Sequence, residues 1–113
     1  MSQKNFFIIT DSLGKGSEEL GKQLMKNFIY TLARSEQKPK KIFFMNEGVR
    51  LTCEGSPVLE DLQALVDAGV ELNSCGTCLD YYELQDSLKV GSRSGMAQIV
   101  EDMLSLDDSI TIR

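Results

Sequence analysis

Phe6-Phe7-Ile8-Ile9-Thr10-Asp11-Ser12-Leu13-Gly14-Lys15-Gly16-Ser17-Glu18-Glu19-Leu20 passes from one structural period to another within fifteen residues. Phe6 to Thr10 is a short, unbroken apolar run of aromatic and β-branched residues. It reads as a strand covered on both faces. Asp11 to Gly16 is a polar, glycine-bearing loop. Ser17 then suits a helix cap, and Glu18 and Glu19 suit the positive end of the helix dipole. From there Leu20, Leu24, Phe28 and Leu32 recur every four residues, joined by Met25 and Ile29, which predicts one apolar helical stripe.

The same alternation continues downstream. Ile42-Phe43-Phe44-Met45 predicts a second buried strand, broken by Asn46-Glu47-Gly48. Ser56-Pro57 predicts a helix start, Val58, Leu62, Leu65 and Val66 its stripe, and Gly69 its end. Val70-Glu71-Leu72 and Leu88-Lys89-Val90 predict the third and fourth strands, with a turn and short helix over Cys75 to Leu84 between them. Met96, Ile99, Val100, Met103 and Leu104 have helical spacing and read as core packing. Ser109 to Ile112 predicts a last strand. Strands alternating with helices predict a single α/β domain over residues 1–113, built on a mainly parallel sheet covered on both faces.

In such a sheet ligands bind beyond the carboxyl ends of the strands. The loops that follow the predicted strands hold all three cysteines, so these are expected toward one edge. Cys75-Gly76-Thr77-Cys78 follows a strand and opens a helix. Backbone N–H groups at a helix start, here those of Gly76 and Thr77, lower a cysteine pKa. A thiolate there can attack a persulfide or disulfide sulfur, and a second thiol one turn on can resolve the product. Cys75, nearest the strand end, is expected to be the nucleophile and Cys78 its partner. Arg93, after strand four, is a candidate counter-ion for an anionic sulfur. Gly14 and Lys15 are candidates to hold an anion on the first loop, although neither nucleotide-binding glycine pattern is complete there. Cys53 reads as a surface-loop cysteine without a role. Of Tyr81 and Tyr82, one is expected in the core and one at the rim.

Composition narrows the partners. The chain has 113 residues and a net charge of −5, which disfavours nucleic acid and anionic membrane surfaces. No apolar run reaches membrane-spanning length, and no targeting segment is visible. An odd number of cysteines without an export signal predicts a cytoplasmic protein without a structural disulfide framework, its cysteines serving redox, metal or nucleophile roles. There is no histidine, so Cys-His dyads and serine triads are excluded. Three thiols are too few for a zinc site within one chain, and no cofactor or metal is expected. A thioredoxin arrangement would place the cysteine pair after the first strand rather than the third.

Phe44 to Val49, then Gly69-Val70-Glu71-Leu72, then Ser74-Cys75-Gly76-Thr77-Cys78-Leu79-Asp80-Tyr81-Tyr82, then Val90-Gly91, occur in an order that resembles the DsrE-like family of sulfur-relay domains. The resemblance is closest to the C-terminal domain of YedF-type selenium-metabolism proteins, and it covers nearly the whole chain. It implies a three-layer α/β/α sandwich around a parallel five-stranded sheet. It also implies a sulfurtransferase or sulfur/selenium carrier whose persulfide forms on Cys75, and a homo-oligomer. A TusA-like domain, usual ahead of this one in YedF-type proteins, would have to be a separate partner protein. Ser94-Gly95-Met96 departs from the family pattern, where asparagine precedes methionine. The competing reading of the same cysteine pair is a binding module or thiol redox sensor.

Overall fold

The computed structural model describes residues 4–105 and 108–113. Its frame is one sheet of five strands, all parallel, in the spatial order β4-β3-β2-β1-β5. The strands are β1 (Lys4–Ile8), β2 (Lys41–Phe44), β3 (Glu71–Cys75), β4 (Ser92–Ser94) and β5 (Asp108–Ile112). The helices are α1 (Glu18–Arg34), α2 (Leu59–Asp67), α3 (Gly76–Tyr81) and α4 (Met96–Ser105), with a 3-10 helix over Asn46–Thr52.

Topology sorts the helices. Each step from β1 to β4 moves one place in the same direction, so right-handed crossovers put α1, α2 and α3 on one face. The step from β4 back to β5 reverses direction and puts α4 on the other. Side chains agree: Phe6 meets Phe28 of α1, ring centroids 6.1 Å apart, while its neighbours Asn5 and Phe7 point the opposite way. On that second face Phe7 stacks on Phe43 at 4.8 Å, and Lys41 reaches Asp102 of α4 at 3.0 Å. The α/β sandwich expected from the strand-helix alternation is the architecture observed.

Most element boundaries follow local chemistry. Ser17 caps α1 by accepting the Leu20 N–H, and α1 ends before the Pro39 segment. Ser56 accepts the Val58 N–H, but α2 begins at Leu59, two residues beyond the expected Pro57. Gly69 follows the end of α2, where Val70 N–H closes on the Leu65 carbonyl.

Four expectations are corrected. Leu88 to Val90 is not a sheet strand. The Lys89 and Val90 N–H groups bond to the Thr52 carbonyl, and Leu88 bridges Cys53 in antiparallel fashion. The turn at Gly91, with φ +78° and its α-carbon packed on the Leu72 carbonyl, delays β4 to Ser92–Ser94. The segment after β2 coils into a 3-10 helix instead of an open loop. The buried line of α1 runs through Gly21, Met25 and Ile29, so Leu20 and Leu24, one position round, stay exposed. On α4 only Ile99 of the predicted apolar stripe is buried, and Met96, Val100, Met103 and Leu104 are exposed. Met96 and Met103 are therefore surface residues rather than core, because α4 lies alone on its face and has no neighbouring helix to cover its flanks.

No helix among the described residues is long and apolar enough to cross a membrane.

Candidate functional site

All five strands are parallel, so their carboxyl ends share one edge and the loops after them meet there. Arg50, in the 3-10 helix after β2, approaches Asp11, in the loop after β1, at 3.9 Å. The Thr52 and Ser74 hydroxyls are 2.8 Å apart. Cys75 ends β3 in register with Ser94 of β4 and serves as the N-cap of α3.

Cys75 and Cys78 are neighbours at this edge, both with free thiols. Cys75 is 1% exposed; Cys78, one turn further along α3, is half-buried and is the more exposed of the two residues. The Asn46 N–H donates to Cys78 Sγ at 3.1 Å. Asn46 is held in turn by the Tyr82 hydroxyl, which donates to its Oδ1 at 2.8 Å. Tyr82 lies under the Arg50 guanidinium, 4.6 Å from the ring centroid. Burial raises the Cys78 pKa above its ordinary value; the Asn46 N–H opposes this, and the adjacent Cys75 sulfur reinforces it.

Arg93 closes the other side. Its Nη1 and Nη2 each donate to one oxygen of Asp80 at 2.8 Å, a bidentate clamp. The ion pair lowers the Asp80 pKa and raises that of Arg93, which negative charge on Cys75 raises further. The guanidinium lies flat against Gly76: a β-carbon there would come within 2.9 Å of its Cζ. Gly76 is therefore small because the arginine occupies the space a side chain would need. Thr77 is exposed at the start of α3.

Cys75, Gly76, Thr77, Cys78 and Arg93 are thus brought together. Gly14 and Lys15 are not part of that group. They line a separate recess with Asp11, Glu18 and Glu47, a carboxylate-rich setting unsuited to an anion. Cys53 is not a surface-loop residue: it is 1% exposed, tucked beneath the loop that follows the 3-10 helix. Burial raises its pKa, with the Thr52 hydroxyl opposing. Tyr81 is at the rim, as one of the two tyrosines was expected to be, while Tyr82 supports Asn46. Sequence reading passed over Asn46, Asp80 and Tyr82. The one local signal was Asn46 itself, an asparagine directly after a strand, which adopts φ +52°.

Gly48, in the same 3-10 helix as Asn46, packs directly against β1. A β-carbon at Gly48 would lie 2.1 Å from the Ile8 carbonyl oxygen and 2.9 Å from its carbon, both backbone atoms of β1. Gly48→Ala is expected to destabilise the fold by about 2–3 kcal/mol, the cost of forcing an extra carbon into close packing. It should also shift the Asn46 N–H away from Cys78 and push the thiol pKa higher still. Urea denaturation and the pH profile of Cys78 alkylation read the two effects. A variant as stable as wild type, with an unchanged profile, would contradict the close approach.

The model of the DsrE/DsrF-like family matches residues 4–112, and the chain belongs to that family. Its fold is shared with YchN of E. coli, at TM-score 0.68 and 19% identity, covering 96% of this chain and 99% of that one. MTH1491 of Methanobacterium thermoautotrophicum, a protein of unknown function, gives TM-score 0.68 and 21% identity over 96% of each chain. BT1422 of Bacteroides thetaiotaomicron gives 0.65 and 11%, over 97% of this chain and 95% of that one. No curated protein matches the chain. Membership of the family is consistent with a role in sulfur relay.

Proposed function

We propose that the chain carries sulfur as a persulfide on the Cys75-Gly76-Thr77-Cys78 segment. The observation that supports this reading is the adjacency of two free thiols at the carboxyl edge of the sheet, with Arg93 clamped beside Cys75 and the Asn46 N–H on Cys78. The Arg93 guanidinium lies against Gly76, next to Cys75, while burial together with the adjacent Cys75 sulfur raises the Cys78 pKa and favours its protonated form. The Cys75 thiolate attacks the outer sulfur of a donor persulfide; the donor S–S bond breaks and the donor leaves as a thiolate. Cys78, facing solvent, is the side on which sulfur enters and leaves. In the absence of an acceptor, Cys78 attacks Cys75 Sγ, forming a disulfide and releasing the outer sulfur, now reduced, as sulfide.

Intact mass after incubation with polysulfide tests the roles. Wild type should gain one sulfur at early times and then give it up as the Cys75–Cys78 disulfide forms. Cys75→Ser should lose loading, and Cys78→Ser should load and hold the sulfur longer. Loading that survives Cys75→Ser but not Cys78→Ser reverses the two roles. Loading in both variants rules out the pair. No loading at any time in wild type or in Cys78→Ser, with a wild-type disulfide that cycles readily, selects the redox-sensor reading, which the adjacency of the two free thiols also favours.

The reading extends to a cytoplasmic protein, supported by its three free thiols, with selenium as an alternative cargo to sulfur in the manner of YedF-type proteins. A separate TusA-like carrier is the proposed exchange partner. The exposed apolar residues of α4 support a homo-oligomer. Light scattering should give a mass above that of one chain, and a monomer at high concentration would remove this part of the proposal.

A further inference from the structure

A second concavity lies beside the thiol pair and is not used by it. This cleft, of about 390 Å³, runs between α1, the 3-10 helix and the segment after α3. Its volume falls in the range of small-molecule sites. Its floor is apolar: Met25, Leu51 and Cys53 are all buried, and Leu84 lies alongside. The Cys53 thiol, kept protonated by burial, adds to that floor as a small hydrophobe rather than as a nucleophile. One wall is the Tyr82 ring, held in place by Arg50 stacked on its face and by its hydroxyl bond to Asn46. A rigid aromatic wall over an apolar floor favours a flat, apolar body.

The mouth carries the opposite character. Lys22 and Lys26 project from α1, one turn apart. Lys22 has only an exposed contact with Glu18, at 3.4 Å. Lys26 has no carboxylate partner among the described residues. Arg50, the third cation, is already matched by Glu47 at 2.9 Å and Asp11 at 3.9 Å. The cleft is lined as well by Glu54 and by Asp11, which Arg50 approaches, so its three cations face two carboxylates; on a chain of net charge −5 the two weakly committed ammonium groups above the apolar floor leave a local cationic excess suited to one negative head group.

We infer that this cleft is a binding site for a small amphipathic anion, an aryl or medium-chain carboxylate, seated with its apolar body against Met25, Leu51, Cys53 and Tyr82 and its carboxylate at Lys22 and Lys26. Tyr82 also holds the asparagine that contacts Cys78, so an occupant would touch the support of the thiol pair without touching the thiols. The site stands on its own lining and does not depend on persulfide chemistry at Cys75.

Titration of the full chain with 4-phenylbutyrate, followed by amide proton–nitrogen NMR, tests this. Saturable shifts are expected over residues 22–26, 51–56 and 82–84. Neutral 4-phenylbutanol should bind more weakly by about tenfold or more, as should 4-phenylbutyrate to the Lys22→Gln/Lys26→Gln variant, since each change removes two charge-assisted contacts and one alone is worth about that factor. Both lysines are exposed, so the variant should keep a wild-type spectrum elsewhere. Absence of saturable binding would overturn the inference. So would shifts centred on the exposed residues of α4, or equal affinity for the alcohol or for the variant.

Discussion

Phe43→Ala is expected to cost about 3–5 kcal/mol, a large part of the stability of a domain this size. Phe43 is wholly buried at the centre of β2, between β1 and β3, and stacks on Phe7 at 4.8 Å with the rings 12° from parallel. Removing the ring forfeits its transfer energy and the stacking contact. It also leaves a cavity that a parallel sheet, tied on both sides by backbone hydrogen bonds, cannot close. Leu20→Ala supplies the contrast: that side chain, on α1, is 57% exposed, and its loss should fall within about 0.5 kcal/mol of zero. Urea denaturation should show a large fall in midpoint for the first variant at unchanged slope, and almost none for the second. A small effect at Phe43, or a large one at Leu20, would contradict the packing described.

The difference between those two positions explains how much of the fold could be read in advance. Phe6 to Thr10 and Ile42 to Met45 are recognisable as strands because a parallel sheet buries both faces, leaving a continuous apolar run. The stripes of α1 and α4 are recognisable as helices because the period is right. The period does not say which elements lie opposite, so Leu20, Leu24, Met96 and Met103 carry the same signal as buried residues and are exposed. β4 carries no apolar signal at all: Ser92-Arg93-Ser94 is a polar edge strand of three residues. Leu88 to Val90 offers that signal instead, and Val90 is indeed buried, but its segment pairs with Thr52 and Cys53 rather than with the sheet.

The candidate site divides in the same way. Cys75 and Cys78 are legible because their relationship is local, one helical turn after a strand end. Arg93 was a candidate from its place after strand four, but its clamp on Asp80, thirteen residues earlier, follows from the β3–β4 register. Asn46 is 32 residues from Cys78, and Tyr82 is 36 from Asn46. Such contacts exist only once β2 and β3 lie side by side, and no spacing rule reveals them. Gly14 and Lys15 show the converse: a loop with the right residue types for an anion is surrounded, after folding, by carboxylates.

The second large effect is expected at the amino end of the sheet, away from the cysteines. Lys41 starts β2 with its side chain only 16% exposed, bonded to Asp102 of α4 at 3.0 Å and to Glu71 of β3 at 3.2 Å. Burial alone would lower its pKa, but the two carboxylates outweigh it and hold the pKa above the ordinary 10.5. A raised folded-state pKa means the folded chain keeps this proton more tightly than the unfolded one. The stability this contributes is complete below the unfolded pKa and is lost as pH rises through the folded one. Asp102→Ala removes the more buried carboxylate and leaves the ammonium under α4 with only the exposed Glu71. The cost should be about 3 kcal/mol, the lower end for breaking a buried pair because one partner remains. Burial then weighs more heavily on Lys41 and brings its folded-state pKa down, so the alkaline loss of stability seen in wild type should shrink or disappear. Asp102→Leu combined with Lys41→Met should restore most of the stability, because an apolar pair of similar volume has no charge to desolvate. Urea midpoints for the single and double variants between pH 7 and 11 would decide it. An Asp102→Ala chain with wild-type stability across that range would show that α4 is held by Ile99 and its apolar neighbours alone.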